Sequence, residues 1–273
     1  MAQYHRDGAL MIESIINRIP LLSSFSIDEI EVQSLSGQTN NNYLLSVAGN
    51  KYVLRIPRQS TDAFINRKNE SHNVEIVQQL GLSPENVWRG EGNLTGVSLT
   101  EYINHSNNPK SGDEEILKKI ATILVTLHRN KKPFKGMLSN QKIMQSLQQY
   151  FEACTLEQQQ ALKTDYQKTL SLLESHTSNR PAVSSHIDLV AENILLENNK
   201  IWLIDWEYSA MASPFWDIAT VCNSYDLDSN KSERFLKIVL ENCQKEDVQS
   251  LQDYQIIVKT IGACWQAAFN QLT

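Results

Sequence analysis

A chain of 273 residues with 41% hydrophobic and 21% charged side chains carries enough apolar material for one large domain or two lobes. Its formal net charge is −6 and it has no block of basic residues, which argues against nucleic acid or an anionic membrane as the main partner. No apolar run is long enough to span a bilayer, and the N-terminal residues lack the charged-then-apolar pattern of a signal peptide. Four scattered cysteines, Cys154, Cys222, Cys243 and Cys264, show no metal-ligand spacing. Together these features predict a cytoplasmic protein with reduced thiols. A monomer or homodimer is expected, and the sequence shows no internal repeat.

Residues 9–19 carry a weak amphipathic helical pattern. Three strands follow, beginning at Glu31, Asn42 and Lys51, separated by the Gly37-Gln-Thr-Asn-Asn stretch and the Ala48-Gly-Asn turn and ended by Pro57. Residues 62–80 read as a helix with apolar positions Phe64, Ile65, Val74, Ile76, Val77 and Leu80, stopped by Gly81. A strand pair over 86–91 and 94–103 turns at Gly92-Asn93. The breaker-rich run from Asn104 to Gly112 is the best boundary. Beyond it Ile116, Ile120, Ile123, Leu124 and Leu127 share one helical face, and 140–175 and 230–272 continue as helix. The expected domains are therefore 1–103, a small sheet lobe with one main helix, and 104–273, a larger, mostly helical lobe.

Inside the helical part, His186-Ile-Asp-Leu-Val-Ala-Glu-Asn gives the spacing His-x-Asp-x4-Asn, and Asp205 follows a short apolar strand. This is the layout of a kinase-type catalytic loop and its metal-binding aspartate. Phosphoryl transfer needs a carboxylate to take the acceptor's proton and oxygen donors to hold magnesium; Asp188, Asn193 and Asp205 are the candidates. Ile194-Leu-Leu and Ile201-Trp-Leu-Ile, joined by Glu-Asn-Asn-Lys, read as a hairpin that sets Asn193 and Asp205 at matching ends. The plain alternative is two polar loop residues and a strand-end cap.

A kinase-type site also needs a cation on the third strand, held by a carboxylate on the next helix. Arg55 and Glu70 occupy those places, with arginine where lysine is usual. A strand-edge charge and a solvated helix face are the alternatives. The turn holding Gly37, Thr39 and Asn40 lies where a nucleotide-covering loop belongs, and it offers N–H groups and hydroxyls to phosphate. No Gly-x4-Gly-Lys-Ser/Thr run exists, so a P-loop fold is excluded.

Four stretches carry a family resemblance: Ser36-Gly-Gln-Thr-Asn-Asn-Asn-Tyr; Tyr52-Val-Leu-Arg-Ile-Pro with Phe64-Ile-Asn-Arg-Lys-Asn-Glu; His186 to Asn193; and Leu203-Ile-Asp-Trp-Glu-Tyr-Ser-Ala-Met-Ala-Ser-Pro-Phe-Trp-Asp-Ile-Ala. The chain resembles the choline/ethanolamine kinase and aminoglycoside phosphotransferase superfamily, and is most similar to its bacterial choline-kinase-like members. The resemblance implies an α+β, bilobed protein-kinase-like fold, ATP with Mg2+, and a small hydroxylated amine as acceptor. It implies Asp188 as base, Asn193 and Asp205 as metal ligands, and Glu207 as a further carboxylate beside the metal. Ile187 stands where many choline kinases have Asn.

A quaternary ammonium is held by aromatic faces and negative charge. Tyr208 lies three positions past Asp205, and Trp265 lies in the last helix in a context similar to a choline-kinase cage tryptophan; each is otherwise a core aromatic. Where the family often has a second tryptophan, this chain has Gly262. Phe215 and Trp216 are expected to pack beneath the loop. Adenine is expected at the lobe junction, near the main chain of Glu101, Tyr102 and Ile103, over an apolar floor of Leu195 and Ile204. The reading is an ATP-dependent kinase of a small amino alcohol, choline first, with thiamine kinase, aminoglycoside phosphotransferase and a non-catalytic nucleotide- or amine-binding protein as alternatives.

Overall fold

The computed structural model describes residues 10–37, 39–58, 65–104, 113–175 and 180–269. Gln38, Phe64, most of the expected boundary at 105–112, and the expected helix end at 270–272 lie outside them. The chain forms two compact units, one of residues 1–67 and 84–104, the other of 68–83 and 105–273.

In the first unit a helix, α1, covers residues 10–16. Five antiparallel strands follow: β1 (Glu31–Leu35), β2 (Asn40–Val47), β3 (Asn50–Pro57), β4 (Asn86–Arg89) and β5 (Ser98–Glu101). Their order is β1-β2-β3-β5-β4, with β3 central. Val47 pairs with Asn50, and both residues between them, Ala48 and Gly49, have positive φ (49° and 80°). That two-residue primed turn matches the twist of its strands and fixes the β2–β3 register. Ile15, Ile16, Ile19 and Leu22 bury against Leu45, Leu54, Ile56 and Leu99, so the N-terminal segment covers one sheet face. The strand expected over 94–103 is shorter. A 3-10 turn spans Gly92–Leu94, and Gly96 takes φ +92°, a backbone unsuited to a strand.

The second unit holds α2 (Arg67–Gln79), α3 (Glu114–His128), α4 (Asn140–Ala153), α5 (Leu156–Ser175), α6 (Pro214–Ser224), α7 (Ser229–Val239) and α8 (Lys245–Phe269), with short strands β6 (Val183–Ser185), β7 (Ile194–Glu197), β8 (Lys200–Leu203) and β9 (Ala210–Ala212). The helix expected over 140–175 is two helices. Thr155 Oγ1 accepts from the Gln158 N–H (3.2 Å) and Gln158 Oε1 from the Thr155 N–H (2.9 Å), a capping box that starts α5. The helix read with the N-terminal strands groups with the second unit from Lys68 onward. Its fully buried Asn73 explains this. The amide donates to the Lys135 and Ser209 carbonyls (3.1 and 2.9 Å) and accepts the Lys135 N–H (2.8 Å). Among the described residues no helix is long and apolar enough to cross a membrane.

The start of α8 carries one stability prediction. Arg180 binds Asp247 through two N–H groups (3.0 and 2.6 Å), and Asp247 also accepts the Gln244 N–H (2.7 Å) at the helix N-terminus. The Arg180 bonds hold the Asp247 carboxyl below its usual range. A depressed carboxylate stabilises the fold above its unfolded pKa, and that contribution disappears as pH falls through the folded value. Asp247→Asn is therefore expected to cost about 2 kcal/mol at pH 7 in urea unfolding. The gap from the parent should shrink as pH drops below about 4. A gap independent of pH contradicts the ion-pair account.

Candidate active site

Two nested ladders build the site. Ser185 pairs with Ala210 in the outer β6–β9 ladder, and Ile194 pairs with Leu203 in the inner β7–β8 ladder. The inner turn is Asn198-Asn199, both with positive φ, the chemistry of a two-residue hairpin. The connecting segments 186–193 and 204–209 must then run side by side between the ladders. Ile204 donates its N–H to the Asn193 carbonyl (3.0 Å), and the Ile204 carbonyl accepts from His186 Nε2 (2.8 Å). Burial depresses the His186 pKa, so the ring is neutral and Nε2 carries the proton. Trp206 packs on it with ring centroids 4.4 Å apart.

Asn193 joins the two functional ends of the loop. Its Nδ2 donates to the Asp188 carbonyl (2.8 Å) and to Asp188 Oδ2 (3.0 Å). With the amide nitrogen turned to Asp188, the amide oxygen is the side-chain atom able to bind a cation. Burial pushes the Asp188 carboxyl above its usual range, against the opposing effects of His186 and the Asn193 bond, and the charges of Glu207 and Glu192 add to the rise. The Tyr208 phenol is pushed up mainly by burial, then by Glu207, Tyr150, Asp188 and Asp205. Tyr208 thus stands in the field of three carboxylates drawn from both segments.

An amide oxygen with the carboxylates of Asp205 and Glu207 is a hard-oxygen set of the kind magnesium takes when phosphates and water complete its shell. Among the described residues no group of three or more His, Cys, Asp or Glu is placed to hold a metal ion. Asp205 takes φ +62°, which Asp tolerates better than most residues.

Asp217, fully buried in the first turn of α6, anchors the loop. Oδ2 accepts the His186 N–H (3.1 Å), Oδ1 accepts the Ile187 N–H (2.9 Å), and His128 Nε2 lies 3.1 Å from Oδ2. Trp216 is buried beneath the loop as expected. Leu195 is buried on β7, and Ile204 is half-buried. Trp265 is half-buried and stacks on Phe269, one turn further along α8 (centroids 5.0 Å).

In the first unit a Cβ at Gly37 would fall 2.5 Å from the Asn40 carbonyl, so the loop admits only glycine there. Arg58 ties this loop down, donating to Asn41 Oδ1 (3.0 Å) and the Gly37 carbonyl (3.1 Å). Thr39 and Asn40 are buried, with Asn40 Nδ2 on the Thr39 hydroxyl (3.1 Å). Arg55 stands on β3 opposite Asn42 and Ser98. Glu70 is buried in the first turn of α2, in the second unit. At the end of β5 the Glu101 N–H goes to the Glu85 carbonyl (2.9 Å) and the Tyr102 N–H to the Lys51 carbonyl (3.1 Å), while Ile103 is buried.

The family model of choline/ethanolamine kinases matches residues 32–257. The chain belongs to the choline/ethanolamine kinase family. Protein LicA of Haemophilus influenzae is 29% identical over 241 residues, covering 85% of this chain and 68% of that one. The crystal structure of choline kinase LicA from Streptococcus pneumoniae superposes with a TM-score of 0.77 at 27% identity, over 96% of this chain and 92% of that chain. A LicA structure in complex with AMP gives 0.74 at 26% identity, over 96% and 91%. The kinase has the protein-kinase-like fold and is a phosphotransferase acting on an alcohol group.

Four residues of this kinase were missed in the sequence. Asp217 lies in a stretch quoted for its likeness, yet nothing in its spacing marks it as the loop's anchor. His128, Asn73 and Arg58 act on main-chain groups or on a carboxylate far along the chain, and such bonds leave no periodic signal.

Proposed function

We propose that this kinase transfers the γ-phosphoryl group of ATP to the hydroxyl of choline. The nested ladders carry the proposal, because they set Asp188 and Asn193 beside the Asp205–Glu207 segment. Asp188, steadied by Asn193, accepts the acceptor's hydroxyl proton. Asn193 and Asp205, with Glu207 as a further carboxylate, would hold Mg2+, which when bound would neutralise phosphate charge. In the first unit, Arg55 and the main chain around Gly37, Thr39 and Asn40 are assigned to the phosphates; in the second, Glu70 is assigned to nucleotide binding. Adenine recognition is assigned to main-chain groups of Glu101, Tyr102 and Ile103. Leu195 and Ile204 supply apolar surface.

Choline is favoured by Tyr208, an aromatic ring in the field of Glu207, Asp188 and Asp205, the surroundings a quaternary ammonium selects. The deciding experiment follows ATP consumption with choline, ethanolamine, thiamine and an aminoglycoside. Choline should show the highest kcat/KM. A higher value for any other acceptor overturns the choline assignment.

Trp265→Ala tests the acceptor end. If the ring faces the amine, the acceptor's KM should rise about tenfold, the size of one cation–π contact, with that of ATP within about twofold. Equal rises in both constants return Trp265 to packing on Phe269.

A further inference from the structure

Ile187, the residue before Asp188, takes φ +76°. Among the described residues the other non-glycine positions with positive φ are Ala48, Asn198, Asn199, Asn242, Asp205 and Asp226. Asn and Asp visit this region at low cost, whereas a β-branched side chain there crowds its own backbone. Such a conformation persists only where the surroundings impose it.

The surroundings here hold the residue from both sides. Its N–H donates to Asp217 Oδ1 (2.9 Å), and its carbonyl accepts from the Trp216 indole N–H (2.7 Å). These partners are adjacent in the first turn of α6, which Pro214 opens. Trp216 is itself fixed, buried and edge-on to Tyr254 of α8 (centroids 6.3 Å, 77°). The Ile187 carbonyl belongs to the peptide that enters Asp188, so its direction sets where the Asp188 side chain points. Asp217 alone cannot fix that peptide, because its bonds to this loop reach only the N–H groups of His186 and Ile187.

We infer that Trp216 is a positioning residue for phosphoryl transfer: its indole N–H, holding the Ile187 carbonyl, keeps an isoleucine in a left-handed conformation and so aims Asp188. The inference rests on the assignment of Asp188 as the base. The indole does not touch substrate and acts only through the loop.

Trp216→Phe keeps an aromatic ring and removes the donor. It should lower kcat at least tenfold, with the KM values of ATP and acceptor within about twofold. Adding Ile187→Gly makes the left-handed backbone easy, and the double variant should recover most of the lost kcat. A kcat equal to the parent's in Trp216→Phe, or a loss that Ile187→Gly does not restore, overturns the inference. Benzothienylalanine placed at position 216 matches the indole's shape without the N–H and gives the same reading if the phenylalanine variant does not fold. Amide exchange over residues 186–193 needs no turnover and should quicken in Trp216→Phe; unchanged exchange speaks against the clamp. A parent that phosphorylates no acceptor in the panel sinks the choline reading, while the exchange measurement still decides the clamp.

Discussion

Replacing Asp188 with alanine is expected to lower kcat about 10³-fold while leaving nucleotide binding intact, the scale of a lost general base. The substitution isolates proton acceptance because Asn193 keeps its bond to the Asp188 carbonyl (2.8 Å) when the carboxylate is gone. The loop's other anchors, from Asp217 to the His186 and Ile187 N–H groups, do not involve the Asp188 side chain. Asp188→Asn keeps the side chain's shape and should be equally slow, since an amide cannot accept the proton. Burial works against the Asp188 charge, so the neutral Asn should leave Tm unchanged or raise it. The checks are steady-state kinetics with the preferred acceptor, nucleotide binding by calorimetry, and thermal unfolding. Parental rates in Asp188→Asn would remove Asp188 from the base role and leave Mg2+ and positioning to carry the reaction.

How much of this was legible depends on how far each signal travels along the chain. The inner hairpin is legible because its information is local: two apolar runs flank Asn198-Asn199, and both asparagines adopt positive φ. The spacing from His186 to Asn193 is equally local. The outer ladder is not. It joins three residues at Val183–Ser185 to three at Ala210–Ala212, strands too short for alternation to show. Yet that ladder forces segments 186–193 and 204–209 side by side. The break between α4 and α5 did have a readable sign, Thr155-Leu-Glu-Gln158, a capping box inside a run otherwise helical in period. Asn73 shows the opposite case. A polar residue on an amphipathic helix reads as solvated, but it is fully buried because main-chain groups at Lys135 and Ser209 need a partner. Ile187 gave no warning either, since a β-branched residue argues locally for extended backbone; only tertiary contacts from α6 explain its conformation.

The second large effect is expected at Asp205. Asp205→Asn is close to isosteric, and asparagine accepts the φ of +62° as readily as aspartate, so the fold and Tm should be retained. What changes is one full negative charge among hard-oxygen donors. A neutral amide holds a divalent cation far more weakly than a carboxylate. The expected result is a fall in kcat/KM for ATP of about 10³-fold, with the concentration of free Mg2+ needed for half-maximal rate raised at least tenfold. Titrating Mg2+ at fixed ATP separates these effects from a folding defect, because a partly unfolded enzyme loses amplitude without moving the midpoint. Glu207→Gln should raise that midpoint too, since the Glu207 carboxylate belongs to the same oxygen set. Asp205→Glu restores the charge on a longer arm and should recover the Mg2+ midpoint more than the rate, because transfer depends on where the phosphates are held and not only on whether the cation binds. If Asp205→Asn turns over at the parental rate with the parental midpoint, the cation is held elsewhere, and the convergence of the two segments has some purpose other than metal binding.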